Sequence, residues 1–384
     1  KPRHRGERGE SLELAAMILS DLAYVVDRLL AFASRSSIES RQDIESRLLQ
    51  FWRWNKSLPE QLAGSDKVVE AHKSLLEKMV ALRDALNSDD DFVVFKAIVG
   101  YKSVFPHMWD DEPDFRRDER IRHESQDELA NRITVDNWTL WKARLVNAAK
   151  ARSRDLATFP PYARFLSIIA VRQPSLALDL LNDRAAMPDW TIRPIADALL
   201  AGDYRGDAEA KLNRWLEEGQ FLQEIGALAA FSRNAGTTLA AKVAEKSIQR
   251  GDVGGCTNLV EGAIRRFVDD PTFWRDKVFF PCLAILRKAE SYDWIERSWH
   301  QPGQDSLFSN LSDEQSEIVL DAMIGANEVD YQAEQILKSI ATGRHQLILD
   351  WFGRRIEHAT AEPPIQFNPI PFSFQDVHEA LQPY

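Results

Sequence analysis

The 384-residue chain has few cysteines and no long uninterrupted apolar run. Its two cysteines, Cys256 and Cys282, are not arranged as CxxC, and no secretory signal precedes them. This usage favours a reduced, cytoplasmic compartment, with both thiols serving as small buried hydrophobic groups. The most apolar stretch, LELAAMILSDLAYVVDRLLAFA, is interrupted by Asp21, Asp27 and Arg28. Because charges at mid-bilayer depth are costly, we expect no membrane span.

The sequence also lacks the short motifs of nucleotide-binding, metal-binding and serine-hydrolase sites. GxxxxGK[ST], HExxH, paired CxxC and GxSxG are all missing, and the eight His are scattered. We therefore expect no P-loop, no metal centre and no cofactor. The net charge of −11, from 48 Lys and Arg against 59 Asp and Glu, makes nucleic acid an unfavourable partner over most of the surface.

Apolar residues at helical spacing dominate what is present, and no alternating strand pattern competes with them. One apolar stripe runs from Leu14 to Phe32 and another from Val68 to Leu86. Two long helices of this kind can pack along their lengths, which predicts an all-α fold that opens with a bundle over residues 10–108. The basic residues 1–9 are expected to form a flexible tail or linker. Because no Met opens the chain, we expect a fragment or processed product.

Two different regions follow the predicted bundle. Residues 109–133 carry the most concentrated charge of both signs, which predicts a solvated connector between structural units. Residues 134–384 contain shorter helical segments separated by Gly, Asp, Asn or Pro. Their Pro-rich end is expected to run extended and to pack through Phe367, Phe372 and Phe374.

The same helix ending recurs in the second region. KSIQRG ends at Gly251, KSIATG ends at Gly343, and the looser RWLEEG ends at Gly219. Glycine readily adopts the left-handed conformation after the last helical turn, so each copy predicts a helix end and a chain reversal. At an offset of 124 residues, Asp197–Gly219 aligns with Asp321–Gly343, and apolar positions after each Gly align as well.

Repeated helix pairs of this length resemble degenerate HEAT or armadillo repeats over roughly residues 160–358. The resemblance implies an α-solenoid, in which neighbouring pairs bury each other's apolar faces. The alternative is an irregular helical domain in which short similarities arise by chance.

One short motif in the charged segment is a candidate catalytic element. Arg117, Asp118 and His123 form R-D-x4-H, which resembles the R-x4-6-H element of HEPN ribonucleases. The resemblance implies that His acts on the ribose 2′-hydroxyl or leaving oxygen and that Arg stabilises phosphate charge. The surrounding residues are almost all charged, whereas a catalytic element needs partial packing, so we favour a solvated helix face. A HEPN-like ribonuclease remains the alternative hypothesis, and enzymatic activity stays open.

Two arginine pairs, Arg265 with Arg266 and Arg354 with Arg355, lie at equivalent helix ends in the repeats. They are candidate ligand-binding residues on a concave solenoid face, or cations placed favourably near helix C-termini. The leading hypothesis is a non-catalytic recognition or scaffold module that binds a protein or other domains of a larger chain. Long helices followed by degenerate repeats also resemble the C-terminal sensor half of bacterial STAND-type NTPases, which implies antiviral defence.

Overall fold

The protein is all-α, as the sequence predicts. A computed structural model describes residues 3–33, 35–100, 102–151, 158–298, 306–361, 367–370 and 381. These residues form eighteen α-helices and contain no β-strand. None of the helices in these ranges has both the length and the apolar content needed to cross a membrane. The chain divides into two compact units, residues 1–188 and 189–384.

The first unit contains eight α-helices among its described residues. Their bounds are α1 (Arg3–Ala33), α2 (Ile38–Asn55), α3 (Asp66–Asn87), α4 (Asp90–Ile98), α5 (Phe115–Asn131), α6 (Trp138–Ala149), α7 (Pro160–Arg172) and α8 (Pro174–Asn182). A 3-10 turn, Pro106–Trp109, lies between α4 and α5. Helix α1 begins at Arg3, inside residues 1–9, where the sequence predicts a tail, because extending a helix that already exists avoids the cost of nucleation.

Helices α1 and α3 pack side by side along their lengths. Lys67 Nζ lies 3.8 Å from a Glu13 carboxylate oxygen, and Lys78 Nζ lies 3.7 Å from an Asp27 oxygen. Both helices therefore advance in the same direction. Side chains of α1, α2, α3 and α4 share one buried core, within the region 10–108 for which the sequence predicts a bundle.

The charged segment 109–133 is not a connector between the two units. Its helix, α5, packs against α4 and α7 inside the first unit. Arg122 Nη1 donates to the carbonyl oxygen of Lys96 at 2.9 Å, and Gln126 Nε2 donates to that of Ala97 at 3.0 Å. These carbonyls belong to the last turn of α4, where no intrahelical donor remains. The charged helix α5 is therefore part of the first unit, where its side chains bind the last carbonyls of α4.

The second unit contains ten α-helices among its described residues. Their bounds are α9 (Ile192–Leu200), α10 (Arg205–Glu218), α11 (Leu222–Phe231), α12 (Gly236–Arg250), α13 (Val253–Arg266), α14 (Phe280–Lys288), α15 (Asp293–Glu296), α16 (Asp313–Met323), α17 (Tyr331–Ala341) and α18 (His345–Ala361). A π-helical turn, Phe273–Phe279, leads into α14. Short 3-10 turns cover Asp189–Thr191, Phe267–Asp269 and Phe308–Asn310.

Several helices in the second unit pack against the next helix and also against the next but one. Helix α11 contacts α9, α12 and α13, and α12 contacts α10, α13 and α14. Contact between alternate helices is what stacked helix pairs produce. The assignment to HEAT-like repeats stays a prediction.

The three repeated glycines adopt the predicted left-handed conformation. Their φ angles are +66° at Gly219, +64° at Gly251 and +77° at Gly343. After Gly219 and after Gly251, the next amide N–H donates at 2.8 Å to the carbonyl five positions earlier. This is the hydrogen-bond pattern of a Schellman helix end, so these predicted endings are confirmed.

The alignment at 124 residues holds up to the glycines and then shifts by one position. Leu212 and Ile336, which are aligned, are both fully buried. After the glycine, Ile225 is buried but its aligned residue Leu349 is 47% exposed, and Ile348 occupies the buried position instead. Helix α18 begins one residue sooner after its glycine than α11 does, which explains the shift.

Candidate functional site

The predicted catalytic residues Arg117 and His123 lie on α5 but have different neighbours. Arg117 Nη1 lies 2.8 Å from an Asp111 carboxylate oxygen. His123 Nε2 lies 3.9 Å from a Glu119 oxygen, and its side chain is 39% exposed. Six positions along an α-helix correspond to a rotation of about 240° and a rise of about 9 Å. The two side chains therefore leave the helix in different directions and are not brought together.

Asp118, the third residue of the predicted element, pairs with a histidine outside it. An Asp118 carboxylate oxygen lies 2.7 Å from His107 Nε2. The His107 ring stacks on Phe105, with 6.3 Å between ring centres. The Asp118–His107 contact holds the 3-10 turn against the first turn of α5. Sequence spacing gave no signal for it, because the two partners lie in separate elements.

Arg355, one of the four predicted ligand-binding residues, donates hydrogen bonds to backbone carbonyls of its own unit. It is fully buried, and Nη1 donates to the carbonyl oxygens of Ile324 at 2.7 Å and Ala326 at 2.8 Å, just beyond α16. Its other nitrogens donate to Asn368 and Pro369. Burial lowers the pKa of the Arg355 guanidinium to about 10.

Phe367 packs against this buried guanidinium. Its ring centre lies 4.4 Å from the central guanidinium carbon of Arg355. The predicted packing of the C-terminal stretch is thus confirmed at this residue. Phe372 and Phe374 lie outside the described residues.

Arg266 occupies a comparable helix-end position. Its Nη1 donates to the carbonyl oxygens of Ala229 at 2.9 Å and Ser232 at 3.0 Å, at the end of α11. The guanidinium also lies over the Trp274 ring, 4.6 Å from its centre. The second arginine of each predicted pair therefore completes the C-terminus of a neighbouring helix and is not presented to a ligand.

The first arginine of each pair retains access to solvent. The side chains of Arg265 and Arg354 are 45% and 41% exposed. Arg265 lies 2.8 Å from a Glu261 oxygen, and Arg354 pairs with Asp321. Because each charge already has a carboxylate neighbour, a ligand anion would have to compete with it.

A buried ion pair in the first unit was not identified from the sequence. Lys96 Nζ donates to a Glu45 carboxylate oxygen at 2.9 Å, to the Val104 carbonyl oxygen at 2.8 Å and to the Asn87 side-chain oxygen. Burial raises the pKa of Glu45 and lowers that of Lys96, and in each case the partner's charge opposes the shift. No pattern in the sequence indicates this ion pair, because its groups come from three helices and a loop.

A cavity of about 290 Å³ lies beside this ion pair. Glu45, Arg83, Asp84, Asn87, Trp109 and Asp110 contribute to its lining. Perturbed charged groups beside a cavity can mark a reactive site, although structural ion pairs have the same signature. All three ammonium N–H groups have protein acceptors, so Lys96 presents no free nucleophile. The geometry favours a role in holding α4 against α2 and α3.

A larger cavity, of about 500 Å³, lies in the second unit. Its acidic lining residues are Glu290, Asp293, Glu296, Glu328 and Asp330. Across the part of the chain that the structure describes, no three His, Cys, Asp or Glu side chains are grouped as a metal site requires. The cavity is therefore an acidic depression without an identified ligand.

Helix α1 carries a second apolar face that its own unit leaves exposed. We call this face the α1 stripe. Its large side chains are 48% to 62% exposed and comprise Leu14, Met17, Ile18, Tyr24, Val25 and Phe32. Residues on a different side of the same helix, including Ala23, Val26 and Ala33, are buried in the core. Apolar spacing in the sequence does not distinguish the two faces, because both follow a helical period.

Two charged residues, Asp21 and Arg28, lie within the α1 stripe. At about 100° per residue they project between the directions of Met17 and Ile18. Both are exposed, and neither side chain makes an ion pair or hydrogen bond with another described residue. The stripe is thus an apolar surface with one negative and one positive group.

No protein-family model, curated protein or solved structure matches the chain. The resemblances to HEAT-like repeats and to STAND sensor regions therefore stay predictions, and the geometry of the chain itself carries the functional argument.

Proposed function

We propose that this protein is a non-catalytic helical recognition or scaffold module that binds a protein through the α1 stripe. One observation carries the proposal: six large apolar side chains remain about half exposed on a helix whose other side is already packed. From Leu14 to Phe32 the stripe is about 27 Å long. Contiguous exposed apolar surface of this kind marks interaction sites in soluble proteins.

The physical basis is the distribution of apolar residues around α1. A helix that is apolar around most of its circumference is stable in water when both faces are covered. In α1 the core covers one face, and polar residues such as Glu13 and Asp27 occupy only a narrow strip. Anchors at i, i+4, i+7 and similar spacings are the pattern by which helices are recognised.

The more specific functional hypotheses remain predictions. A sensor role in a larger bacterial defence NTPase rests on the order of long helices followed by shorter, partly repeated ones. The HEPN-like ribonuclease alternative gains no support from the separate positions of Arg117 and His123 on α5.

Photo-crosslinking in cells tests the proposal. A photoreactive amino acid is placed at Val25 in the stripe or, as control, at Val135, which is 73% exposed outside it. We expect a protein adduct from position 25 that is lost with Ile18→Glu but kept with Leu140→Glu, a change at another exposed apolar residue. Equal adduct from both positions, or an adduct insensitive to Ile18→Glu, would contradict the proposal.

A further inference from the structure

We infer that the partner of the α1 stripe is a second copy of this chain, packed antiparallel about a two-fold axis between Tyr24 and Val25. This inference rests on the proposed function and adds the identity of the partner. It follows from the positions of the two charges in the stripe and from the apolar residues that flank them.

The stripe is self-complementary about that midpoint. Asp21 and Arg28 lie equally far from it in sequence, on opposite sides, and carry opposite charges. A two-fold axis places the same surface on both partners, so residue i of one copy meets residue j of the other, and the reverse. Antiparallel pairing therefore brings each Asp21 against the second copy's Arg28 and forms two equivalent ion pairs.

The charges also select the orientation of the two helices. Parallel pairing in register would place Asp21 against Asp21 and Arg28 against Arg28, and like charges across an interface are costly. Both side chains are exposed and lack partners among the described residues. Covering the stripe with a wholly apolar surface would leave both charges desolvated and unpaired. A second copy supplies an opposite charge to each.

The apolar residues fit the same arrangement. At 1.5 Å per residue, Ile18 comes to nearly the same height as the second copy's Phe32, and Met17 approaches its Ala31. Val25, next to the axis, comes beside the Val25 of the other copy. The overlap from Met17 to Phe32 is about 22 Å long, which corresponds to a small interface and to a dimer that dissociates on dilution.

Sedimentation of the full chain with charge-reversal variants tests the pairing. Asp21→Arg and Arg28→Asp should each raise the dimer dissociation constant by at least about tenfold, because each variant places like charges in both contacts. An equimolar mixture of the two variants should recover the wild-type affinity, since both cross-contacts are again between opposite charges. As a control, Ser20→Arg adds charge to the polar face of α1 and should leave the dimer dissociation constant unchanged.

Cysteine variants test the orientation, and the native Cys256 and Cys282 are fully buried and do not interfere. With an added oxidant, Val25→Cys should form an inter-chain disulfide, whereas Ile18→Cys should not. Efficient disulfides from both variants would indicate parallel pairing and overturn the inference.

Two further outcomes separate this inference from the proposed function. A monomeric wild-type chain at high concentration, or a dimer insensitive to both charge reversals, overturns the second-copy inference. If position 25 nevertheless crosslinks in cells to a different protein with the dependence on Ile18 described above, protein binding through the stripe stands. If no such adduct forms, the second-copy inference and the proposed function are both wrong.

Discussion

At the scale of single residues, the Lys96–Glu45 pair shows how charge is accommodated in the core. The side chains are 4% and 1% exposed, and an isolated charge at such a site would be strongly unfavourable. Removing one partner leaves the other unpaired in the core, whereas replacing both with apolar groups avoids that penalty. The structural role of the pair can therefore be separated from its charge by mutation.

We predict that Lys96→Met lowers the free energy of unfolding by about 3–5 kcal/mol, because it leaves the Glu45 carboxylate buried without its counter-charge. The double variant Lys96→Met with Glu45→Leu should recover at least half of that loss. Urea denaturation of the wild type and both variants measures this. A double variant less stable than Lys96→Met alone would contradict the prediction, because it would show that the unpaired Glu45 carboxylate is not what destabilises the single variant.

The directions of the pKa shifts of Glu45 and Lys96 determine how the free energy of unfolding should change with pH. Burial raises the pKa of Glu45 above its ordinary value of 4.5, so its contribution is fully present below pH 4.5 and is lost as pH rises through the folded-state pKa. Burial lowers the pKa of Lys96 from 10.5, so its contribution is present above pH 10.5 and is lost as pH falls through the folded-state pKa.

Both shifts predict that the ionised pair is least favourable at intermediate pH. Relative to the double variant, the wild type should lose stability as pH rises from about 4.5 toward neutrality. Urea unfolding of the two proteins across this range cancels the contribution of the other carboxylates. A constant difference between them would contradict the prediction.

At the scale of elements, helix ends explain much of the internal organisation. Glycine ends α10 and α12, and buried or partly buried arginines bind carbonyls at the ends of α4, α11 and α16. Both devices satisfy the last carbonyls of a helix, which have no intrahelical donor. The same requirement recurs in both units.

Substitution of the helix-ending glycines should separate backbone strain from side-chain crowding. Gly251→Ala should cost about 1–2 kcal/mol, because φ is positive there while an added Cβ meets no atom within 4 Å. Gly219→Ala should cost only slightly more. Its Cβ would displace the exposed end of the flexible Arg250 side chain and break the hydrogen bond from Arg250 Nη2 to the Glu218 carbonyl oxygen. Gly206→Ala, inside α10 with ordinary φ and open space, should be neutral or stabilising.

Thermal unfolding of these three variants provides the comparison. Equal midpoints for Gly251→Ala and Gly206→Ala would contradict the assignment of strain to the helix end. Gly254 and Gly255 are unsuitable controls. They lie in the first turn of α13, and a Cβ on Gly255 would come within 2.5 Å of the Ser247 hydroxyl oxygen.

Sequence periodicity predicted the helices and glycine endings because both depend on local geometry. It did not predict that Arg122 and Gln126 pack into the first unit, since their acceptors are backbone carbonyls of α4. Nor did it separate the two apolar faces of α1. A stripe that packs in the core and a stripe that stays exposed have the same spacing, and only the folded chain distinguishes them.

At the scale of the whole molecule, the two units present different surfaces. In the second unit several alternate helices contact each other, and two of the four candidate arginines bind backbone carbonyls there. The first unit has a completed core but leaves six large apolar side chains of α1 about half exposed. If the protein is a protein-binding module, a partner covers that stripe in the cell.

Thiol labelling in cells measures that coverage most directly. Single variants Val25→Cys, in the stripe, and Val135→Cys, outside it, place thiols at positions that are both exposed in the isolated chain. Because a bound partner would cover the stripe, we expect position 25 to label more slowly than position 135 in cells. For dilute purified protein, the two labelling rates should converge. Equal labelling rates in cells would contradict protein binding through the stripe.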